Sequence, residues 1–541
     1  MRKFILAAAA AAFLAAPAAA QQPPPPRLLV VFSIDQFSAD LFDEYRPHFS
    51  AGLARLATGT VFRNGFQSHA STETCPGHST ILTGDHPART GIVGNSWIDQ
   101  SLQREDKNVY CAEDPSVPGS SSNHYTVSPK QLVVPALGEV MKARWPASRN
   151  VAVSGKDRAA VMMSGHNADQ RWYWNGKQFT SDLAAAPVPQ VVGKVNAAIA
   201  AALAQPRPPL DAPPYCQAKA RPVAVQGGGG PVGAGRFARA AGDTAGLRAS
   251  PELDGDTLAL AAGMVDEMRL GRGAQPDVLA VSLSATDYVG HSYGTEGEEM
   301  CLQLLELDRE IGDFLAVLDS RGIDYAVALT ADHGGKDIPE RERLAGVADA
   351  VRVDRALSSG VIGPKLAAQL NIQGPGLVGG SNSGDMYIDD RLSAADQKRF
   401  LDAAVAAYRA HPQVEAVFTA AEIAATPKPT GSPTELSLIE RVRESYYPGR
   451  SGDFYVILKK DVTPIADTSR GYVATHGSAW DYDRRVPILF WRPGFRGATV
   501  EAPAETVDIM PTLAALIELP LAPGSVDGHC LAGTPAFCPQ R

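Results

Sequence analysis

The sequence lacks several features that would each identify a class of protein. Beyond the first 20 residues it has no run of 18 uninterrupted apolar residues, so no membrane span is predicted there. It has no block of lysine and arginine, and its net charge is −9, which argues against nucleic-acid binding as the main function. No internal repeat is evident at solenoid periods. The composition of the whole chain, with 45% hydrophobic and 20% charged residues, is typical of a globular protein with a sizeable core.

Cysteine is scarce, and its spacing excludes one kind of metal site. The chain has six cysteines and no C-x-x-C motif, which favours structural disulfides in an oxidising compartment over thiolate zinc sites. Cys530 and Cys538 bracket a loop rich in glycine and proline, so we expect a local disulfide between them. The other four cysteines allow three pairings, and the sequence does not choose among them: Cys75, Cys111, Cys216 and Cys301.

The N-terminus predicts export. Residues 1–20 have the form of a secretory signal, with Arg2 and Lys3 before an apolar stretch and three alanines before Gln21. Residues 21–27 are rich in proline and form a predicted linker. The mature protein is therefore expected to be exported without a membrane span, and to reach the periplasm in a Gram-negative cell.

Three apolar runs in the chain each lead to an aspartate. Runs of this kind are typical of buried parallel strands, and ligands of open α/β sheets bind outside the carboxyl ends of such strands. The runs and their aspartates are Leu28–Ile34 with Asp35, Val278–Thr286 with Asp287, and Tyr325–Ala331 with Asp332.

Histidines accompany these aspartates and strengthen the case for metal binding. His291 follows Asp287 by four residues, which places both on one face if a helical turn follows the strand. His333 directly follows Asp332, and His476 lies near the last predicted strands. Carboxylates and imidazoles together suit divalent zinc. Six ligands would build a two-zinc site, of the kind that stabilises both the attacking and the leaving oxygen of an in-line displacement.

Each of these residues has an ordinary interpretation when it is taken alone. An aspartate after a strand is often only the N-cap of the next helix, and this is the better interpretation of Asp35 by itself. His291 alone is as well explained by a satisfied structural histidine as by a ligand. The metal-site hypothesis therefore depends on the whole set.

The order of elements predicts an α/β fold with insertions. Helical patterns at 255–270 and 297–320 flank the strand before Asp287, and the strand before Asp332 follows, which gives a β-α-β order. Helices are also predicted at about 39–57 and 505–517. Thr74 is expected at the start of a helix, because Pro76 suits a first-turn position and free N–H groups there favour an anion.

We expect one catalytic domain over 28–530 and a C-terminal tail over 531–541. Insertions are predicted at about 95–185, where Trp172–Trp174 begins a hairpin, and at about 340–450, which is expected to be mostly helical and loop-rich.

Taken together, the motifs resemble a known family. They occur in the order and rough spacing of the type I phosphodiesterase/nucleotide pyrophosphatase branch of the alkaline phosphatase superfamily. Within it the chain is most similar to the monomeric bacterial alkaline phosphatases of the phosphate-irrepressible type, which use a threonine nucleophile. The resemblance spans about 28–530 and rests on Asp35, Thr74-Cys75-Pro76-Gly77-His78, Asn95, Lys156-Asp157-Arg158, Asp287-x-x-x-His291, Asp332-His333 and Thr475-His476-Gly477.

The resemblance implies a fold and two sets of ligands. The fold would be an alkaline-phosphatase-like sandwich, with a central, largely parallel sheet between helices, in a monomer. One zinc would be held by Asp287, His291 and His476. The other would be held by Asp35, Asp332 and His333, with Thr74 as its fourth ligand and as the nucleophile that becomes a phosphothreonine.

The resemblance also implies a phosphate clamp. Asn95 and the Thr74 backbone N–H would bind one phosphoryl oxygen, and Lys156 and Arg158 would neutralise the others. From sequence alone, a solvated pair in a loop would be the better interpretation of Lys156 and Arg158, and only the family spacing reverses this. Cys75 lies beside the nucleophile, but the sulfatase pattern C-x-P-x-R is broken here, so Cys75 is expected to be structural.

The resulting hypothesis is an exported two-zinc alkaline phosphatase. It would hydrolyse small phosphate monoesters with broad tolerance for the leaving group, and diesters more weakly. The first alternative is a phosphodiesterase or nucleotide pyrophosphatase on the same scaffold. The second is a non-catalytic exported zinc-binding protein, and the third is hydrolysis of phosphonate or sulfate esters as the main activity.

Overall fold

A computed structural model describes residues 24–227, 230–380, 384–536 and 538. The predicted signal peptide, 1–20, lies outside these residues, as do the first part of the linker and most of the last five residues of the tail. Among the helices that are described, none has both the length and the apolarity needed to cross a membrane.

The strands of the described chain are numbered in chain order. They are β1 Leu28–Ile34, β2 Thr60–Phe66, β3 Ser96–Ile98, β4 Asn108–Tyr110, β5 Asn150–Ser154, β6 Gln170–Trp174, β7 Phe179–Thr180, β8 Asp277–Leu283, β9 Tyr325–Thr330, β10 Val351–Arg352, β11 Leu377–Gly380, β12 Asp385–Ile388, β13 Val414–Thr419, β14 Phe454–Leu458, β15 Val462–Thr463, β16 Arg485–Trp491, β17 Thr499–Val500 and β18 Ala504–Glu505.

The helices are numbered in the same way, and single 3₁₀ turns lie at Arg46–His48, Arg355–Leu357 and Thr506–Asp508. The α-helices are α1 Ala39–Tyr45, α2 Gly52–Leu56, α3 Thr74–Thr83, α4 Pro87–Thr90, α5 Leu137–Arg144, α6 Asp157–Ser164, α7 Gln190–Leu203, α8 Pro214–Ala218, α9 Thr244–Arg248, α10 Pro251–Glu267, α11 Ala285–Tyr293, α12 Glu298–Ser320, α13 Pro339–Leu344, α14 Ser359–Gln369, α15 Ala394–Arg409, α16 Ala420–Ala425, α17 Leu438–Arg443, α18 Asp481–Arg484 and α19 Ile509–Leu516.

The largest sheet has the strand order β17-β2-β16-β9-β1-β8-β5-β6-β7, with β18 also pairing with β2. Five neighbouring strands of this sheet are mutually parallel: β9, β1, β8, β5 and β6. β16 runs antiparallel to both β9 and β2. The predicted largely parallel central sheet is therefore confirmed.

Both faces of this sheet are covered by helices, as β1 shows. All seven residues of β1 are buried, and because strand side chains alternate in direction they enter two different cores. Leu28, Val30 and Phe32 pack with residues of α10 and α12. Leu29 and Val31 pack on the other face with residues of α3, α5 and α19. The result is the predicted helix–sheet–helix sandwich.

The parallel registers bring several functional segments to one edge of the sheet. Ile34 of β1 is level with Leu283 of β8, and Ser33 is level with Thr330 of β9. Ser154 of β5 is level with Ser282 of β8. The residues that follow β1, β8, β9 and β5 are consequently neighbours in space, although they are far apart in sequence.

The predicted insertion at about 95–185 is wrong in its second half. β5, α6, β6 and β7 belong to the main sheet and its helical cover, and the predicted hairpin at Trp172–Trp174 is the β6–β7 pair. Only the part with β3 and β4 forms a separate two-stranded sheet. β5 is too short a run to stand out in sequence, yet it is paired on both sides and completely buried.

The region at about 340–450 is more β-rich than predicted. It contributes β11, β12 and β13 to a second, antiparallel sheet of order β11-β12-β14-β13. α14 and α15 cover one face of that sheet, with Phe400 and Tyr408 in its core. The bulge near Gly379 and the short strands explain why no alternating pattern was visible in sequence.

Three disulfides cross-link the described chain. Cys530 pairs with Cys538, as predicted. The pairings that sequence left open are Cys75 with Cys111 and Cys216 with Cys301. The first holds the segment next to Thr74 against the strand β4, and so confirms a structural position for Cys75.

Helix α3 approaches the sheet edge closely at Gly77. A Cβ added to Gly77 would lie 2.0 Å from the carbonyl oxygen of Asp332, and the obstructing atoms are backbone. Because backbone cannot rotate aside, only glycine lets the first turn of α3, which begins at Thr74, sit directly on the end of β9.

This contact predicts opposite effects for two Gly→Ala substitutions in helices. Gly77→Ala should lower the free energy of unfolding by about 1–3 kcal/mol, because the helix must move away from Asp332. Gly193→Ala in α7 should raise it by about 0.5–1 kcal/mol, because nothing lies within 4 Å of the added methyl group and alanine favours the helix. Denaturant unfolding of both variants measures the difference; stabilisation by Gly77→Ala would contradict the packing described here.

Candidate metal centre

The first predicted ligand set comes together at the start of α11. Asp287 lies in the first turn of this helix and His291 one turn later, so both face the same side. The Asp287 Oδ1 atom is 3.3 Å from Nε2 of His291 and 3.3 Å from Nε2 of His476. Ligand atoms of the three residues lie within 4.8 Å of one another, which is close enough for one metal ion.

The second set also comes together, with one addition that sequence analysis did not assign. Asp35 and Asp332 form a compact group with His78, again with ligand atoms within 4.8 Å. His78 lies 3.3 Å from each carboxylate. The predicted member His333 has its Nε2 atom 3.2 Å from Asp332 Oδ2. Its ring stacks on His476 at 3.5 Å, so the two sets adjoin.

Four histidines of the site are held by backbone carbonyl oxygens, each with Nδ1 within 2.9 Å of one. In His291, His333 and His476 this turns Nε2 toward a carboxylate. His78 differs, because its Nδ1 also lies 3.3 Å from Asp332 while its Nε2 faces Asp35. In the first three, the carbonyl partner fixes the tautomer that binds a metal. The pairs are His78 with Thr74, His291 with Ala474, His333 with Gly334 and His476 with Thr72.

Backbone groups also fix the orientation of Asp332. Its Oδ1 atom accepts hydrogen bonds from the backbone N–H of Gln36 and of His333. Gln36 reaches it with a φ of 60°, a left-handed conformation that costs a non-glycine residue free energy. The other carboxylate oxygen, Oδ2, is thereby left facing the histidines.

Lys156 joins the two sets. Its ammonium group is completely buried, 2.9 Å from Asp35 and 2.5 Å from Asp287. Burial alone would lower the pKa of Lys156, but the two carboxylates outweigh burial and raise it. The interpretation of Lys156 as a solvated loop residue is therefore wrong: it is a buried cation between the two candidate metal positions.

The pKa values of the histidines fit metal binding in the first set. Burial lowers the pKa of His291 to about 4. Burial, followed by the charge of His333, also lowers the pKa of His476. Both imidazoles are consequently neutral at neutral pH, which is the form that binds a metal.

Thr74, Asn95 and Arg158 meet at the start of α3. Thr74 is the first residue of this helix and is completely buried. The Arg158 Nη2 atom lies 3.4 Å from the Thr74 hydroxyl. The side-chain oxygen of Asn95 accepts a hydrogen bond from the Cys75 N–H at 2.8 Å, so its amide group is the part available to a ligand. The structure thus brings together every predicted site residue.

The residues fit a pair of divalent cations. Among the described residues, the buried atoms without a hydrogen-bond partner include Asp287 Oδ1, Asp332 Oδ2 and His333 Nε2. Buried polar atoms without partners are costly, and at a functional site they indicate a missing ion or ligand. Carboxylate oxygens and imidazole nitrogens are the ligands that zinc prefers when thiolates are absent.

Comparison with known proteins agrees with this geometry. The model of the family described as type I phosphodiesterase/nucleotide pyrophosphatase matches residues 29–479. The chain belongs to this family. Membership in this family of enzymes confirms the resemblance inferred from the motifs.

Curated members of the family resemble the chain over nearly its whole length. It is 53% identical to the alkaline phosphatase PhoK of Sphingomonas sp., covering 93% of this chain and 90% of the relative. It is 48% identical to the alkaline phosphatase PhoD of Zymomonas mobilis, covering 95% and 90%.

Solved structures show the same fold. The crystal structure of the alkaline phosphatase PafA matches with a TM-score of 0.81 at 25% identity, covering 95% of this chain and all of the other. The murine ectonucleotide pyrophosphatase/phosphodiesterase 5 matches with a TM-score of 0.53 at 13% identity, covering 92% and 97%, which shows a shared fold only.

Sequence analysis missed the contribution of His78 and of two tyrosines. His78 was visible in the motif, and its i, i+4 spacing from Thr74 was the signal that could have indicated its contact with the Thr74 carbonyl. Tyr110 and Tyr125 both donate to the carboxylate of Asp157, at 2.7 Å each. Nothing in the sequence indicates this contact, because Tyr110 ends the short strand β4 and Tyr125 lies in an irregular segment before β5.

The candidate centre predicts that divalent metal stabilises the fold. After removal of metal with EDTA, added zinc should raise the free energy of unfolding by about 2.7 kcal/mol per site at a free concentration of 100 times Kd, because the metal binds only the folded site. In His476→Ala, zinc should raise the free energy of unfolding by the contribution of one site less than in the wild type. His411→Ala serves as the control, because His411 lies near Asp354 and away from the centre. Thermal unfolding measures the increments; an equal response in all three proteins would contradict the assignment.

Proposed function

We propose that this chain is an exported two-zinc alkaline phosphatase that hydrolyses phosphate monoesters through a phosphothreonine intermediate. Two observations support the export proposal: the signal-like residues 1–20 and the three disulfides. The names of PhoK, PhoD and PafA support the class of reaction.

A single observation carries the proposal. The Thr74 hydroxyl lies 3.4 Å from the Arg158 guanidinium, at the helix start that packs on Asp332 through Gly77. The proposed nucleophile, a cation that could bind phosphoryl oxygens and two groups of candidate metal ligands therefore share one buried site. A metal-storage protein needs the ligands only, so this arrangement argues against the non-catalytic alternative.

Each residue has a defined task in the proposed reaction. Asp287, His291 and His476 would hold one zinc, and Asp35, Asp332 and His333 the other. Zinc supplies Lewis-acid chemistry there, which lowers the pKa of bound hydroxyl groups and neutralises charge on oxygen. His78 keeps the second set in place through its contacts with both carboxylates and with the Thr74 carbonyl.

The chain's own groups attack and stabilise the phosphoryl group. The Thr74 oxygen forms a bond to phosphorus as the bond to the alcohol oxygen breaks, which gives phosphothreonine and the free alcohol. Attack by water then releases phosphate and restores the threonine. Throughout, the Asn95 amide and the Arg158 guanidinium are placed to donate to phosphoryl oxygens as their charge changes.

The clamp favours monoesters over diesters. A monoester has one more anionic oxygen than a diester, and Lys156 and Arg158 are two cations within the same site. Arg158 is further oriented by Tyr110, whose hydroxyl lies 3.5 Å from Nη1. A phosphodiesterase on this scaffold is the alternative function, and it would gain less from the second cation.

Replacement of the nucleophile tests the proposed intermediate. Thr74→Ala should lower kcat for an aryl phosphate monoester by about 10⁴-fold or more, because the attacking hydroxyl is lost. Elemental analysis should still find about two zinc ions per chain. Thr74→Ser, which keeps a hydroxyl, should retain measurable turnover. Full activity of Thr74→Ala would exclude the nucleophile assignment.

Removal of the clamp tests the selection of monoesters. The double variant Lys156→Met with Arg158→Met should lower kcat/KM for an aryl monoester by about 10²-fold or more and for its methyl diester much less. Because Lys156 is buried between two carboxylates, zinc content and thermal unfolding should be measured on the same preparation. An equal loss on both substrates, with metal content intact, would count against the clamp.

A further inference from the structure

A cavity of about 440 Å³ lies beside the proposed clamp and is unexplained by it. Lys156 and Arg158 line one part of this cavity, so it borders the reaction site. Its other walls include aromatic side chains from β6 and α11 and a cation from the end of α9: Tyr173, Trp174, Tyr288 and Arg248.

Arg248 has an unusual environment for an arginine in this protein. Its guanidinium stacks on the Tyr288 ring, with Cζ 4.7 Å from the ring centre. Within the described chain it makes no ion pair, and its buried Nε has no hydrogen-bond acceptor. The buried arginines differ, since each pairs with a carboxylate: Arg171 with Asp182, Arg239 with Glu252, Arg352 with Glu340, Arg484 with Asp481 and Arg492 with Asp324.

Two other residues that line the cavity also have a buried N–H group without an acceptor. The indole Nε1 of Trp174 is buried and has no acceptor among the described residues, and the same is true of Nε of Arg158. The carboxylate that lines the cavity, Asp157, already accepts from the hydroxyls of Tyr110 and Tyr125. The cavity therefore offers the positive charge of Arg248, Lys156 and Arg158 between aromatic walls.

The position of Arg248 relative to the clamp limits the size of a ligand. Lys156 Nζ lies 4.9 Å from the centre of the Tyr288 ring, and Arg248 Cζ lies 4.7 Å from it. The two cations are consequently no more than about 10 Å apart. A single small molecule is long enough to span that distance.

We propose that Arg248, together with Trp174 and Tyr288, forms a second oxyanion subsite. It binds a carboxylate or phosphate carried on the alcohol part of the ester, while the clamp binds the phosphoryl group that reacts. The favoured substrates are thus monoesters in which a planar spacer joins the phosphate to a second anion less than about 10 Å away. This inference rests on the proposed function, because it assigns the substrate class of the same site.

Matched substrates and a matched variant test the subsite. Wild-type kcat/KM is compared for 4-carboxyphenyl phosphate and for 4-carbamoylphenyl phosphate, which has nearly the same shape without the charge. Arg248→Met should reduce the ratio of the two values about tenfold, the effect of one charge-assisted hydrogen bond. Arg248→Lys should retain part of the preference. Arg496→Met is the control, because Arg496 is exposed in the loop after β16, at the opposite edge of the sheet.

A binding measurement separates this inference from the proposed function. Calorimetry with 4-carboxybenzylphosphonate and benzylphosphonate reports the subsite without turnover, and Arg248→Met should weaken only the first ligand, about tenfold. A loss of affinity for both ligands, or for neither, would overturn the subsite. If the wild type hydrolyses neither ester but shows this binding difference, the proposed function fails and the subsite stands. Replacing the carboxylate by a second phosphate in 1,4-phenylene bisphosphate shows which oxyanion Arg248 prefers.

Discussion

The structure depends on three carboxylates that are held out of water at one edge of a sheet. Asp35, Asp287 and Asp332 are at most 1% exposed, and removing an ionised carboxylate from water costs several kcal/mol unless charge compensates for it. In the metal-free chain that charge comes from Lys156, which contacts two of them, and from His78. Burial alone would lower the pKa of His78, but Asp332 and Asp35 outweigh burial and raise it to about 9.

The fold holds these groups in place mainly through its backbone. Parallel registers align the ends of β1, β8, β9 and β5, and backbone carbonyls hold the rings of the four histidines in place. Close approach at Gly77 brings α3, the helix that begins at Thr74, against Asp332. The site is therefore organised before a metal or substrate binds, which is what catalysis by electrostatic stabilisation requires.

The sequence was sufficient to predict the central sheet and the residues of both candidate metal groups except His78. Aspartates after buried strands and the Asp287–His291 spacing are local patterns. Such patterns can be recognised directly in the sequence, because they involve only neighbouring residues. The placement of β5 was not predictable, because a five-residue strand takes its position from pairing with β8 and β6 rather than from its composition. The second sheet was not predicted from the sequence for a similar reason. β11 and β12 have only four residues each, and a bulge interrupts their pairing.

Charge balance connects the clamp with the substrate. In the proposed two-zinc form, three carboxylates against two divalent ions leave a surplus of one positive charge, and Lys156 and Arg158 raise that surplus to three. A monoester dianion neutralises more of it than a diester monoanion does, and in a buried site of low dielectric this difference is amplified. Arg248 extends the positive region away from the reacting phosphate, past the ring of Tyr288. The same surplus that selects the dianion at the clamp therefore favours a second anion at the far end of the substrate.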